Sequence, residues 1–177
     1  MDNLKEGTIE RINLLAITKF LGLAFLISLI PFYIHLQYFS GPLINAILII
    51  TLFIVGVREA FILALVPSLM ALSGGLLPSI LAPLIPFIML SNVIFIYLID
   101  RFFFIFRSDK YSYWFSLFIA SLAKFLFLYF SLNIISKILI KEDLILKVAE
   151  MMSWPQFFTA FSGGMIAFIF LRFIKRI

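Results

Sequence analysis

The sequence predicts an all-α integral membrane protein, with six transmembrane helices in one bundle and both termini in the cytoplasm. Three observations predict it. Of the 177 residues, 64% are hydrophobic and 13% charged, and the mean hydropathy of +1.17 lies far above that of soluble domains. The apolar residues fall into six long stretches, and an apolar helix of about 20 residues crosses the hydrocarbon core with its backbone groups satisfied. Finally, Lys and Arg collect in every second gap between those stretches.

In order along the chain, the spans are expected at roughly 12 to 33, 43 to 57, 60 to 77, 81 to 106, 113 to 140 and 156 to 173. Together they make one domain over residues 1–177, with a short cytoplasmic segment at 1–11. The opening MDNLKEGTIER mixes acids with bases, and no small-residue cleavage site follows the first apolar run, so the first helix reads as a retained span. The second and third spans are short and separated only by Arg58 and Glu59 after Gly56, which predicts a tight helical hairpin turning at one membrane face. The fourth opens in LPSILAPLIP, where Pro78, Pro83 and Pro86 disturb a regular helix; lipid tolerates such backbone only where protein or water covers it. The fifth carries the most polar interior, and Pro155 sets the start of the sixth. Before that start, the connection over 141–156 repeats Leu144, Val148, Met151 and Met152 at helical spacing with charges on the other face. It reads as an amphipathic segment that lies in the interface or caps the bundle.

Charge sets the orientation. Lys5, Arg11, Arg58, Arg101, Arg107, Lys110, Arg172, Lys175 and Arg176 fall on one side, against Lys137, Lys141 and Lys147 on the other. Nine against three places both termini in the cytoplasm of a multi-pass plasma-membrane protein. The net charge of +5 then belongs to an inner surface facing anionic lipid, and it does not point to nucleic acid.

Several chemistries lack their parts. With no cysteine there is no disulfide, thiolate metal site or iron–sulfur cluster. The one histidine, His35, falls in an outer connection, and the acids cluster at span ends, so a histidine–carboxylate metal site, a two-carboxylate hydrolase and a Ser-His-Asp triad are all incomplete. No metal or cofactor is expected. A serine–lysine dyad of Lys124 with Ser121 or Ser131 stands as a minor alternative.

Lys124 is the residue hardest to place in a membrane. It sits about ten residues into the fifth span, roughly 15 Å of helix rise from the cytoplasmic end, too deep to snorkel easily. Ser116, Ala120, Phe127 and Ser131 recur around it at three- and four-residue steps, so it shares a face with small and polar residues and points into the bundle. One reading is a cation for an anionic ligand group; the other is a lysine satisfied by carbonyls, water or an internal partner. Lys19 is shallower and reads as snorkelling to the inner face. Asn45 and Asn92 need partners that lipid does not provide, as ligand contacts or as interhelical glue. Ser91 and Asn133 are weaker examples of the same kind. Met151, Met152, Trp154 and Gln156 precede the sixth span and read either as a lid over a small ligand or as an interfacial anchor. Small residues at four-residue spacing mark close-packing faces: Ala24 and Ser28 on the first span, Ala60, Ala64 and Ser68 on the third, and Ala160 and Gly164 on the sixth. The faces on the first and third spans are also candidates to receive a partner.

Six spans with inner termini, short second and third spans and polar residues toward the outer loops resemble the substrate-binding S component of energy-coupling factor (ECF) transporters. The wording GPLINA, VPSLMALSGGLLPSILAPLIPFIMLSN and MMSWPQFFTAFSGGMIAF is similar to one branch of that group. The resemblance implies a small membrane protein that binds a vitamin-like solute from outside. It implies two kinds of partner as well, a transmembrane coupling protein and a pair of cytoplasmic ATPases. No GxxxxGK[ST] motif occurs, in keeping with ATP hydrolysis in another chain. In that family an Ala-x-x-x-Ala pattern on the first helix helps dock the coupling protein; here Ala16, Phe20 and Ala24 hold the corresponding spacing, and Ala24 and Ser28 keep a similar step. Family ligands lie toward the outer half, which implies a solute site at Lys124, Asn92, Trp154 and Gln156, with Asn45 if the second helix reaches it. A scaffold whose polar residues are all glue, and a small intramembrane enzyme, are the competing classes.

Overall fold

The structure, a computed structural model, describes residues 14–34, 36–75, 79–106, 111–138 and 148–177. Its helices are α1 (Leu14–Tyr33), α2 (Gln37–Ile54), α3 (Val57–Ser73), α4 (Ile85–Ile105), α5 (Ser112–Ile138) and α6 (Trp154–Phe173), with a 3-10 segment over Ser79–Leu84. No strand occurs among the described residues. Four stretches, Leu14–Tyr33, Ala82–Ile105, Ser112–Leu132 and Val148–Phe173, are long and apolar enough to cross a membrane. They mark the chain as a membrane protein. The segment 1–11, His35, Pro78, Arg107, Lys110 and residues 141–147 lie outside the described residues, as do the side chains of Asn133 and Lys137.

Several boundaries differ from the expected ones, α3 ending at Ser73 and α4 opening at Ile85 among them. α2 begins at Gln37, ahead of the expected 43, because Pro42 sits early in it and removes only the bond that would reach the Tyr38 carbonyl in the first turn. The α2–α3 turn falls at Val55 and Gly56, so Arg58 and Glu59 belong to α3, where the acid suits the positive end of the helix. Gly56 has φ 154°, a backbone conformation that L side chains rarely adopt, so the turn favours glycine.

Contacts between elements set an alternating up-and-down arrangement. Around the bundle the neighbours run α1, α3, α4, α5, α6, α2 and back to α1, with α2 also reaching α3 and α4. α2 and α6 run side by side in the same direction, Gly41 against Thr159 and Asn45 against Gly163; a Cβ on Gly163 would lie 2.6 Å from the Pro42 carbonyl oxygen. α5 and α6 are antiparallel, and the Tyr113 hydroxyl donates to the Gly164 carbonyl at 2.6 Å.

The bundle has two unlike ends. Arg58, Arg101, Arg172, Lys175 and Arg176 lie toward one, with the α2–α3 turn and the end of α6. Pro31, Pro42, Pro67, Pro83, Pro86 and Pro155 all lie toward the other. Irregular backbone is thus concentrated at one end, and there it is covered by protein: Leu84 and Ile85 of the broken opening of α4 are buried with Leu128, Val148 and Met152. Residues 148–151 are helical, and their Val148 is buried at that end with Leu84 and Leu128.

The small-residue face of α3 needs a correction. Ala60 and Ala64 are fully buried in the main core with Ile27, Leu63 and Phe95, so they let helices of this chain approach and present no surface to a partner. On α1, Ala24 is half-buried against the same core, the Ser28 hydroxyl donates to the Ala24 carbonyl at 2.7 Å, and Ala16 is partly exposed.

Candidate functional site

Three polar residues that lie far apart in the sequence meet at the centre of the bundle. Lys124 lies about 18 Å of helix rise from the start of α5 and is 3% exposed. Its Nζ donates to Asn45 Oδ1 of α2 at 2.8 Å and to Asn92 Oδ1 of α4 at 2.7 Å. It also stands 5.2 Å from the centroid of the Phe95 ring, one helical turn beyond Asn92.

Each amide is held from its other end. Asn45 Nδ2 donates to the Gly41 carbonyl at 2.9 Å, within α2. Asn92 Nδ2 donates to the Ala64 carbonyl of α3 at 3.1 Å. That acceptor lies beside an interruption, since Pro67 has no N–H for the Leu63 carbonyl and loosens the helix at its preceding turn. The network therefore ties α2, α3, α4 and α5 together around one ammonium group.

Charge is not balanced within the described chain. The described carboxylates are Glu59, Asp100 and Glu150, and none lines the space around Lys124. Both partners of the ammonium are neutral amide oxygens, and one of its three N–H groups makes no hydrogen bond to a described residue. Charged hydrogen bonds offset part of the cost of burial, but a cation without a counterion remains expensive in a low-dielectric interior.

Beside Lys124 lies a cavity of about 300 Å³, toward the proline-rich end. Asn45, Asn92 and Gln156 line it together with Lys124, whereas Trp154 does not. Trp154 is 59% exposed and stacks on Phe125 at 4.9 Å between centroids, on the outside of α5 and α6. Of the expected lid, Met151 and Gln156 reach the cavity, and Gln156 Nε2 donates to the Met151 carbonyl at 2.8 Å. The tryptophan belongs to the outer surface.

The dyad of Lys124 with a serine does not form. The Ser131 hydroxyl donates to the Phe127 carbonyl at 2.7 Å, and the buried Ser121 hydroxyl has no hydrogen-bond partner. Ser68 is the cavity residue that sequence reasoning assigned to packing: it lines the cavity, is 4% exposed, and its Oγ has no partner. Ser40 and Thr159 complete the polar lining, each donating to a carbonyl of its own helix region.

Compared with known proteins, the chain matches no family model, no curated protein and no solved structure.

Proposed function

We propose that this chain is a membrane-embedded substrate-binding subunit for the uptake of a small anionic solute, held in the cavity beside Lys124. One observation carries the reading: a buried ammonium with two neutral partners, an N–H without a described acceptor and no described carboxylate faces a space large enough for a small molecule. A solute anion supplies the missing countercharge.

On this reading α2 and α3 cross the membrane as well, giving six spans with both termini in the cytoplasm. The end rich in Arg and Lys faces inward by the positive-inside rule, and the cavity opens outward. Transport is driven by separate proteins, a transmembrane coupling protein and a pair of cytoplasmic ATPases, as the resemblance to ECF S components implies. Supporting features are the position of the cavity toward the proline-rich end, away from the Arg- and Lys-rich one, and the largely exposed apolar α1, whose buried residues are Ile27 and Pro31.

The test is gentle extraction from a native membrane followed by solute-binding and partner analysis. A solute bound at one per chain without ATP, together with a co-purifying coupling module, is the expected result; a monodisperse protein with neither contradicts it. The scaffold reading has one observation in its favour, that Asn45 and Asn92 already give Lys124 two acceptors inside the chain. It predicts no saturable ligand.

A further inference from the structure

Serines in this bundle usually satisfy their hydroxyl on the carbonyl four residues back: Ser28 on Ala24, Ser40 on Leu36, Ser116 on Ser112 and Ser131 on Phe127. For Ser68 that carbonyl belongs to Ala64, and Ala64 already accepts from the Asn92 amide. The Ser68 hydroxyl makes no such bond. It is left without a partner among the described residues although 4% exposed, and it borders the cavity that Lys124 borders. A buried polar group in that state calls for a water or a ligand.

We propose that Ser68 and Lys124 together receive one carboxylate, and that the solute is a monocarboxylate with an apolar body. This rests on the cavity being the solute site. Two donors are available there, the hydroxyl of Ser68 and the third N–H of Lys124, and a carboxylate offers two acceptor oxygens. Asn92 relates the two donors: it bonds Lys124 directly and the Ala64 carbonyl one turn before Ser68, and Ser68, Asn92 and Lys124 all line the same cavity.

Charge selects the number of negative charges. Among the described residues Lys124 is the one charged group lining the cavity, so a monoanion brings that lining to neutrality, whereas a phosphate monoester leaves an excess negative charge in an apolar surround. A neutral solute leaves the ammonium as it is. The space exceeds what a bare carboxylate fills, and Ile44, Pro67, Ala71, Ile88 and Met151 line the remainder. An apolar chain or ring fits that wall.

The experiment compares three probes with one body, cyclohexanecarboxylate, cyclohexanecarboxamide and cyclohexyl phosphate, by ligand-observed NMR on the full chain in lipid nanodiscs. The carboxylate is expected to bind saturably, with the amide and the phosphate at least tenfold weaker. Ser68→Ala is expected to weaken the carboxylate about tenfold while leaving the thermal unfolding of the ligand-free protein unchanged, since the hydroxyl makes no bond to a described residue. Equal binding of amide or phosphate, or an unchanged affinity in Ser68→Ala, overturns the proposal. If native mass spectrometry then finds a neutral or dianionic molecule bound, the carboxylate assignment alone is wrong. If no probe binds and no small molecule is bound, the solute-binding reading fails with it.

Discussion

The Lys124 ammonium donates to Asn92 Oδ1 at 2.7 Å, and the same Asn92 side chain donates to the backbone of α3 at 3.1 Å. One amide thereby links a buried charge on α5 to α3 through α4. Its loss and the loss of the lysine have unequal consequences, because removing an acceptor strands a charge and removing the charge strands only neutral groups.

Asn92→Leu should therefore destabilise the protein by about 2–4 kcal/mol, whereas Lys124→Met should change stability by less than about 1.5 kcal/mol. Unfolding in mixed micelles measures both. Combining the two substitutions should recover about 1–2 kcal/mol of the loss, the coupling expected of residues in contact. A larger effect from Lys124→Met than from Asn92→Leu contradicts this account of the network.

Two glycines should respond in opposite ways to alanine. At Gly163 a Cβ would lie 2.6 Å from the Pro42 carbonyl oxygen and 2.7 Å from Asn45 Cβ, so α2 must move away from α6. Gly163→Ala should destabilise by about 1–3 kcal/mol and, by displacing Asn45, weaken solute binding too. At Gly22 on α1 a Cβ meets nothing within 4 Å. Gly22→Ala should be neutral or stabilise by up to about 1 kcal/mol.

How far these features were legible in the sequence depends on the kind of signal. Hydropathy located α1 to α6, because a long apolar run in this composition has few alternatives to a helix. It misplaced the start of α2, since Gly41 and Pro42 look like a turn while a proline near a helix start removes little hydrogen bonding. Asn45, Asn92 and Lys124 each stood out as polar groups among apolar neighbours. Their meeting was not legible, because it depends on how α2, α4 and α5 pack. Ser68 was hidden for a different reason: with Ala60 and Ala64 it forms a regular small-residue row, and that its hydroxyl finds no described partner while the Ala64 carbonyl accepts from Asn92 shows only in the packed structure. Trp154 was singled out by type and neighbours, but its position at the start of α6 turns it outward onto Phe125.

Trp154 and Gln156 should separate in a binding assay. Trp154→Ala removes an exposed stacking contact and should leave solute affinity within about twofold, at a stability cost of about 0.5–1.5 kcal/mol. Gln156→Ala alters the cavity wall and releases the Met151 carbonyl, so affinity should fall several-fold. Isothermal titration with the identified solute measures both. The opposite ranking contradicts the placement of the cavity.

Orientation is testable directly because the chain has no cysteine to remove. Ser153→Cys, near the cavity end, should react with a membrane-impermeant maleimide in intact cells. Lys175→Cys, after α6, should react only once the membrane is opened. Labelling of Lys175→Cys in intact cells contradicts the proposed inward face of the basic end.

The most direct test of the solute site is native mass spectrometry of the wild-type protein and Lys124→Met, extracted in parallel under mild conditions. One small anionic molecule per wild-type chain is expected, with its loss from a folded Lys124→Met variant. A wild-type protein empty across several lipids, or a variant that retains the same molecule at the same occupancy, would contradict it.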